Sequence, residues 1–281
     1  MKYFRHPGVT VTKTDDKQEP FKQDKLLRSL EHCGASTEAS DEVMKTLSQK
    51  LSGNIHTSEI FQHAYSILKH FNPSVAARYN LKQAVLSLGP TGYPFEDFIS
   101  EIFKIEGYQV QVGVVVPGLC VTHEVDVLAV KGNKHVICEC KFHNQPGFKS
   151  DVKVSLYVHA RFNDIVNRYR VDPQNKDMIY EPWIITNTTF TEDALTYAQC
   201  NNINALSWNH PKGAGLLALI EAYKLYPVTC LPTLNFSQKQ YCINKGVILC
   251  KNLIHRNDVL SYLFHDSHYR GRVEREIQGL L

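Results

Sequence analysis

The stretch HEVDVLAVKGNKHVICECKFHNQ, residues 123–145, constrains this chain more than any other. Its two apolar runs, EVDVLAV and HVICECKF, read as largely buried strands, yet Asp126 stands inside the first and Glu139 and Lys141 inside the second. Strict alternation puts Glu124, Asp126 and Leu128 on one face of the first strand, opposite Val125, Val127 and Ala129. In the second strand Ile137, Glu139 and Lys141 oppose Val136, Cys138, Cys140 and Phe142. Neither strand has a wholly polar side, so this is not a sheet with one plain solvent face. A charge buried in such a strand is costly unless it is paired or bound to a metal.

The surroundings give the charges a context. The helical stretch PFEDFISEIFKIEG precedes them, with Phe95, Phe98, Ile99, Ile102 and Phe103 as its apolar stripe and Glu96 close to the packed side. A strand YQVQVGVVV follows that helix, and a helical stretch SDVKVSLYVHARFNDIVNRYR follows the two charged strands. Then come a strand PWIITN, a helix TEDALTYAQCNN and a short strand INALSW. Helix, three strands, helix, strand, helix, strand is a mixed α/β pattern. A Glu-x-Lys by itself is most often an ordinary surface pair. In this order, two carboxylates and a lysine at strand ends suit a hard cation such as Mg²⁺ or Mn²⁺, which takes one or two carboxylates and keeps several waters. Lys153, Tyr157 and Arg161 share a helical face that either touches phosphate or is simply solvated. His123 and His143 read as structural, and Cys138 and Cys140, one residue apart on a strand, as core packing rather than zinc ligands.

Residues 92–210 resemble the PD-(D/E)xK nuclease superfamily, in particular the Mrr-like restriction endonuclease domains. The matching residues are Glu96 in FEDFISEIF, Asp126 in HEVDVLA, and Glu139 with Lys141 in CECKF, followed by the closing strand-helix-strand. The resemblance implies a restriction-endonuclease-like mixed sheet and metal-dependent hydrolysis of DNA phosphodiesters. Asp126 and Glu139 would hold the metal, Lys141 would serve the attacking water, and Glu96 would support from the helix. Val125 stands where many members carry Pro.

The stretch before SLGPTGYP, residues 87–94, reads as a separate domain. Short strand-like pieces (GVTVTK, QEPF) lead into KQDKLLRSLEHCG, with Leu26, Leu27 and Leu30 on one face and Gly34 as C-terminal cap. TSEIFQHAYSILKHF starts with Thr57 or Ser58 as N-cap, and its apolar face runs from Ile60 to Phe71. PSVAARYNLKQAVLSLG reads as one helix opened by Pro73. This block resembles an ATP-cone, the regulatory domain of ribonucleotide reductases and of the NrdR repressor. The match is Val11, Thr12 and Lys13, the turn with Glu19 and Phe21, Lys25 opening the first helix, and Thr57 in HTSEI. It implies ATP or dATP as a regulatory ligand, with the two lysines clamping phosphates. The family's Lys-Arg-Asp-Gly is here Lys13-Thr14-Asp15-Asp16. No Walker A loop is present.

The expected fold class is thus α+β, in three parts: residues 1–90 ATP-cone-like, 91–212 nuclease, and 213–281 helical, with a helix-hairpin-helix flavour around Gly246. Net charge decides little, because +3, −3 and +3 in these three parts leave no strongly basic domain. No apolar run is long enough to span a bilayer. Scattered cysteines and the absence of an apolar leader read as a cytoplasmic protein with free thiols. Double-strand cutting would call for a homodimer or larger assembly. A nucleotide-responsive DNA-binding regulator on an inactive nuclease fold, and a nuclease for RNA or branched DNA, are the other classes compatible with these residues.

Overall fold

The computed structural model describes residues 9–13, 16–50 and 53–281. The N-terminal part opens with strands β1 (Thr10–Thr12) and β2 (Gln18–Pro20) and helices α1 (Gln23–His32) and α2 (Thr37–Lys50). Strand β3 (Asn54–His56) and helices α3 (Thr57–Phe71), α4 (Pro73–Tyr79) and α5 (Leu81–Leu86) follow. β1 lies between β2, antiparallel to it, and β3, parallel. Leu26, Leu30, Val43, Leu47, Ala64 and Leu68 form the core beneath this sheet.

Three local expectations are corrected here. α3 is capped by His56, not by Thr57 or Ser58: the His56 N–H donates to Glu59 Oε1 at 3.3 Å, while Thr57 Oγ1 is drawn aside to donate to the Thr12 carbonyl at 3.2 Å. Phe71, assigned to the apolar face, is exposed at the end of that helix. The stretch read as one helix from Pro73 is two, because Asn80 leaves helical geometry between α4 and α5. Asn72 starts α4, its Oδ1 accepting from Ser74 and Val75 N–H. α2 has no counterpart in the sequence reading, since its apolar positions are diluted by Thr, Glu, Ser and Lys.

The central part begins with α6 (Tyr93–Ile105), then β4 (Gln109–Pro117), β5 (Thr122–Lys131), β6 (Lys134–Lys141), β7 (Lys149–Ser150) and α7 (Val152–Arg170). β8 (Ile179–Thr186), β9 (Thr189–Phe190), α8 (Glu192–Cys200) and β10 (Asn204–Leu206) complete it. The main sheet has five strands in the order β10-β8-β6-β5-β4. β4, β5 and β6 are antiparallel neighbours, whereas β6, β8 and β10 run parallel. This mixed sheet between helices makes the protein α+β. α6 covers one face, its buried Phe95, Phe98 and Ile99 in a common cluster with Val127, Ala129, Val136, Cys138 and Cys140. α7 covers the other, with Ile165 and Val166 against Val125 and Ile137.

Strict alternation fails at one place. Val125 packs with Leu128 beneath α7, while Val127 packs beneath α6, so the side-chain faces switch across Asp126. The β4–β5 ladder steps from Val112–Val127 to Val114–Val125 without a rung at Gly113, whose φ is +62°. A left-handed residue there lets the pleat invert, which a side chain would resist.

Five helices close the chain: α9 (Leu216–Ala222), α10 (Phe236–Asn244), α11 (Cys250–Leu253), α12 (Asn257–Leu263) and α13 (Ser267–Gln278). Their apolar residues, Leu216, Ile220, Leu249, Leu260 and Ile277 among them, join the cluster beneath α6 rather than forming a core of their own. Thr229 Oγ1 donates to the Ala84 carbonyl at 2.7 Å and Ser74 Oγ to that of Glu276 at 2.9 Å, tying this part to α4 and α5. Among the described residues no helix is long and apolar enough to cross a membrane.

Candidate active site

Asp126 and Glu139 meet where two strands part. The β5–β6 ladder ends at Val127–Cys138, so the next pair in register would be Asp126 and Glu139. β6 goes on paired only with β8, through Glu139–Ile184, Cys140–Ile185 and Lys141–Thr186. The fork frees the N–H of Cys140, and the Asp126 side chain takes it, Oδ2 accepting at 2.7 Å. Asp126 thus replaces a ladder bond and is held at the mouth of the fork.

Glu139 is 5% exposed and faces α7. Lys141 donates to its Oε1 and Arg161 to its Oε2. Arg161 also lies over the ring of Tyr157, 4.4 Å from its centroid, and Lys141 Nζ lies 5.8 Å from the same ring. Of the two readings left open for the face Lys153, Tyr157 and Arg161, Arg161 belongs to the site, whereas Lys153 is exposed.

The electrostatics bring in Glu96. Burial, then the charge of Asp126, raises its carboxyl from 4.5 to about 7, with Glu124 and Glu139 also contributing. Asp126 is raised from 3.8 to about 6 by burial and by Glu139, against the opposing effects of the Cys140 N–H, Lys141 and Arg161. Burial thus comes first at both carboxyls, and repulsion from a neighbouring carboxylate adds to it. Raised carboxylates of this kind are what a hard divalent cation would bring back down, and Asp126 and Glu139 are the two carboxylates in register at the mouth of the fork. Among the described residues no three His, Cys, Asp or Glu side chains form a closed cage. An ion at the fork would therefore have to draw on Asp126 and Glu139 and keep most of its water, as Mg²⁺ does. Cys138 and Cys140 lie in the core, their thiols 3.8 Å apart and pushed up by burial, so they pack rather than ligate.

Several supporting residues escaped the sequence reading. Thr186 Oγ1, fully buried, donates to the Lys141 carbonyl at 2.7 Å. Asn187, also fully buried, accepts from the His143 N–H at 2.9 Å and donates to its carbonyl at 2.7 Å. Together they fix the strand end that carries Lys141. The polar run Thr186-Asn187-Thr188 after an apolar strand was the available signal. His123 is structural as expected: its Nε2 lies 2.7 Å from Asp164 Oδ2. That bond holds Asp164 down at about 2, and Asp164 also accepts the Cys120 N–H, pinning the β4–β5 turn to α7.

In the N-terminal part Lys13 and Lys25 converge on one carboxylate. Glu19 lies 2.9 Å from Lys13 Nζ and 2.8 Å from Lys25 Nζ, and the two lysines hold it near 2. Val11 is buried, and Thr12 Oγ1 donates to Asn54 Oδ1 at 3.0 Å, so these two build the sheet beneath the lysines. Asp16 takes a left-handed φ of +58° in the β1–β2 turn, whereas Thr14 and Asp15 lie outside the described residues.

Residues 226–281 match the family model described as AF1548-like, C-terminal. A protein of Archaeoglobus fulgidus, described as uncharacterized, is 31% identical over 156 residues, which span 56% of this chain and 83% of that protein. The crystal structure of AF1548, described as a protein of unknown function, matches with a TM-score of 0.54 at 28% identity, covering 67% of this chain and 97% of its own. The chain belongs to the AF1548-like family.

Proposed function

We propose that this protein is a metal-dependent endonuclease that hydrolyses DNA phosphodiester bonds at the β5–β6 fork. The observation that carries the reading is Asp126 and Glu139 in register at the open end of the β5–β6 ladder, with Lys141 bonded to Glu139 and Glu96 near enough for both charges to raise it. A Mg²⁺ or Mn²⁺ ion held by Asp126 and Glu139 would polarise the phosphoryl oxygen and acidify a water. Lys141 would orient that water and offer N–H to the charge developing on phosphorus oxygens. Glu96, raised to about 7, is suited to exchanging a proton near neutral pH. Arg161 aims Glu139 by donating to its Oε2 while stacked on Tyr157.

The test is cleavage of plasmid, linear, single-stranded and branched DNA, and of RNA, with Mg²⁺ or Mn²⁺ and with chelator. Activity is expected with metal only, and Asp126→Ala is expected to lower it by more than about 100-fold, as losing a direct ligand should exceed the effect of losing a supporting one. Equal cleavage by Asp126→Ala would show that the site lies elsewhere. Binding without cleavage under any metal would favour a DNA-binding regulator instead.

The N-terminal part we read as a regulatory nucleotide site, on the strength of Lys13 and Lys25 sharing Glu19. A triphosphate of ATP or dATP would compete with Glu19 for both lysines and alter assembly or activity. Lys25→Ala is expected to weaken equilibrium binding of ATP and dATP by about tenfold, the loss of one charge-assisted contact. Unchanged binding would remove Lys25 from the site. Action in the cytoplasm, as a homodimer or larger assembly able to cut both strands, completes the proposal.

A further inference from the structure

The loop leaving Lys141 carries an aromatic ring that the core does not explain. Phe148 is 57% exposed, in a segment held at both ends. At its root, Asn187 clasps the backbone of His143 through two hydrogen bonds. At its far end, β7 pairs with β9, and Ser150 Oγ lies 3.2 Å from His143 Nε2. Gly147, with φ of +88°, makes the turn that presents Phe148. His143 backs the ring, the two centroids 4.8 Å apart and the planes 23° from parallel. Burial, then the nearby Lys141 charge, lowers the His143 pKa, which favours a neutral backing ring.

Lysines neighbour this ring along the chain, with Asp151 among them as the N-cap of α7 and Lys141 paired to Glu139. Lys141 precedes Phe148, Lys149 follows it, and Lys153 stands on the first turn of α7. Lys149 and Lys153 are exposed and form no ion pair among the described residues. Tyr157, 48% exposed, offers a second ring on the α7 side of Lys141, backed by Arg161. Exposed rings on backbone anchored at its ends, with lysines nearby in the chain, match the way single strands are held, base on ring and phosphate on cation. A base inside a continuous duplex is already stacked on both sides and presents no free face.

We infer that Phe148 is a stacking platform for an unpaired nucleobase beside the scissile phosphate, and that the site takes a single strand, a frayed end, a flap or a loop in preference to continuous duplex. The nuclease reading supplies only the position of the scissile phosphate; stacking requires no cleavage. The full chain is therefore titrated, in chelator, with labelled single-stranded DNA, single-stranded RNA and blunt duplex DNA of one sequence. Single strands are expected to bind at least about fivefold more tightly than duplex, and Phe148→Ala to lose about 5- to 100-fold on single strands alone, the range for one stacked base. Phe148→Trp is expected to keep that affinity and to show emission quenched by the oligonucleotide, over an unchanged background from Trp183 and Trp208. Undiminished single-strand binding by Phe148→Ala, or an unquenched Phe148→Trp, overturns the inference. Quenching with no cleavage under any metal would leave the platform standing and sink the nuclease reading alone. Metal-dependent duplex cleavage untouched by Phe148→Ala would do the reverse. The DNA and RNA arms tell which sugar the site accepts.

Discussion

Asp126→Asn is expected to abolish hydrolysis and, at pH 8, to make the protein more stable rather than less. The Asp126 carboxyl sits at about 6 in the folded chain, against 3.8 as its ordinary value. The folded state therefore binds more protons than the unfolded state between roughly pH 4 and 6, and stability falls as pH rises through that window. Above it the parent protein carries the full cost of an ionised Asp126 beside Glu139, on the order of 1–3 kcal/mol at about 1.4 kcal/mol per unit, with solvent screening included. Asparagine removes the charge, and its carbonyl oxygen can still accept the Cys140 N–H that Asp126 holds at 2.7 Å. Thermal unfolding of parent and variant from pH 4 to 8 checks this: the variant's advantage should be largest at pH 7–8 and shrink towards pH 4. Glu96, raised to about 7, titrates against the same charges, so the parent's profile reports the pair and not one residue. Mg²⁺ or Mn²⁺ should stabilise the parent more than the variant and narrow the gap. A variant less stable than the parent at pH 8 would mean that Asp126 is a structural strut and not a strained ligand.

What the sequence discloses of this site follows from which signals are local. The stripe Phe95, Phe98, Ile99, Ile102 and Phe103 is legible because a helix face repeats regularly, and all five are buried as read. The charged strands are legible because Asp126, Glu139 and Lys141 contradict their apolar surroundings. Their facing is only half legible. Alternation assumes an unbroken pleat, and Gly113 breaks it from the neighbouring strand, opposite Asp126 and 13 residues away in sequence. Arg161 stayed undecided because a helix face does not disclose what lies opposite it; only the packing of α7 on β6 brings it to Glu139. Thr186 and Asn187 act through backbone atoms of Lys141 and His143, a relation that leaves no residue-type pattern. The C-terminal helices read as a module by composition, yet their apolar faces find partners only in the cluster beneath α6, which is a property of the whole chain.

Glu139→Ala is expected to be the most destabilising single change at the site, by about 3–5 kcal/mol, because it strands the cations that a buried carboxylate holds. Glu139 is 5% exposed, and the Arg161 side chain is 14% exposed with its Nε buried and without an acceptor among the described residues. Removing Glu139 leaves that largely buried guanidinium without its carboxylate, whereas Lys141, 36% exposed, can turn towards solvent. The loss therefore belongs mainly to Arg161, and a cycle of variants separates it. Arg161→Met alone should also destabilise, by leaving Glu139 dependent on Lys141. The double variant Glu139→Ala with Arg161→Met should unfold at a higher temperature than Glu139→Ala, since the stranded charge and its unsatisfied Nε both go. Metal-dependent cleavage should be absent from Glu139→Ala and from the double variant alike, which divides the two roles of the residue. Pairing with Arg161 keeps the fold intact around the fork, and the same carboxylate is the one proposed to meet a cation. Unfolding temperatures that simply add across the cycle would show that Glu139 and Arg161 do not depend on one another, and the account of why a carboxylate is tolerated in β6 would then fail.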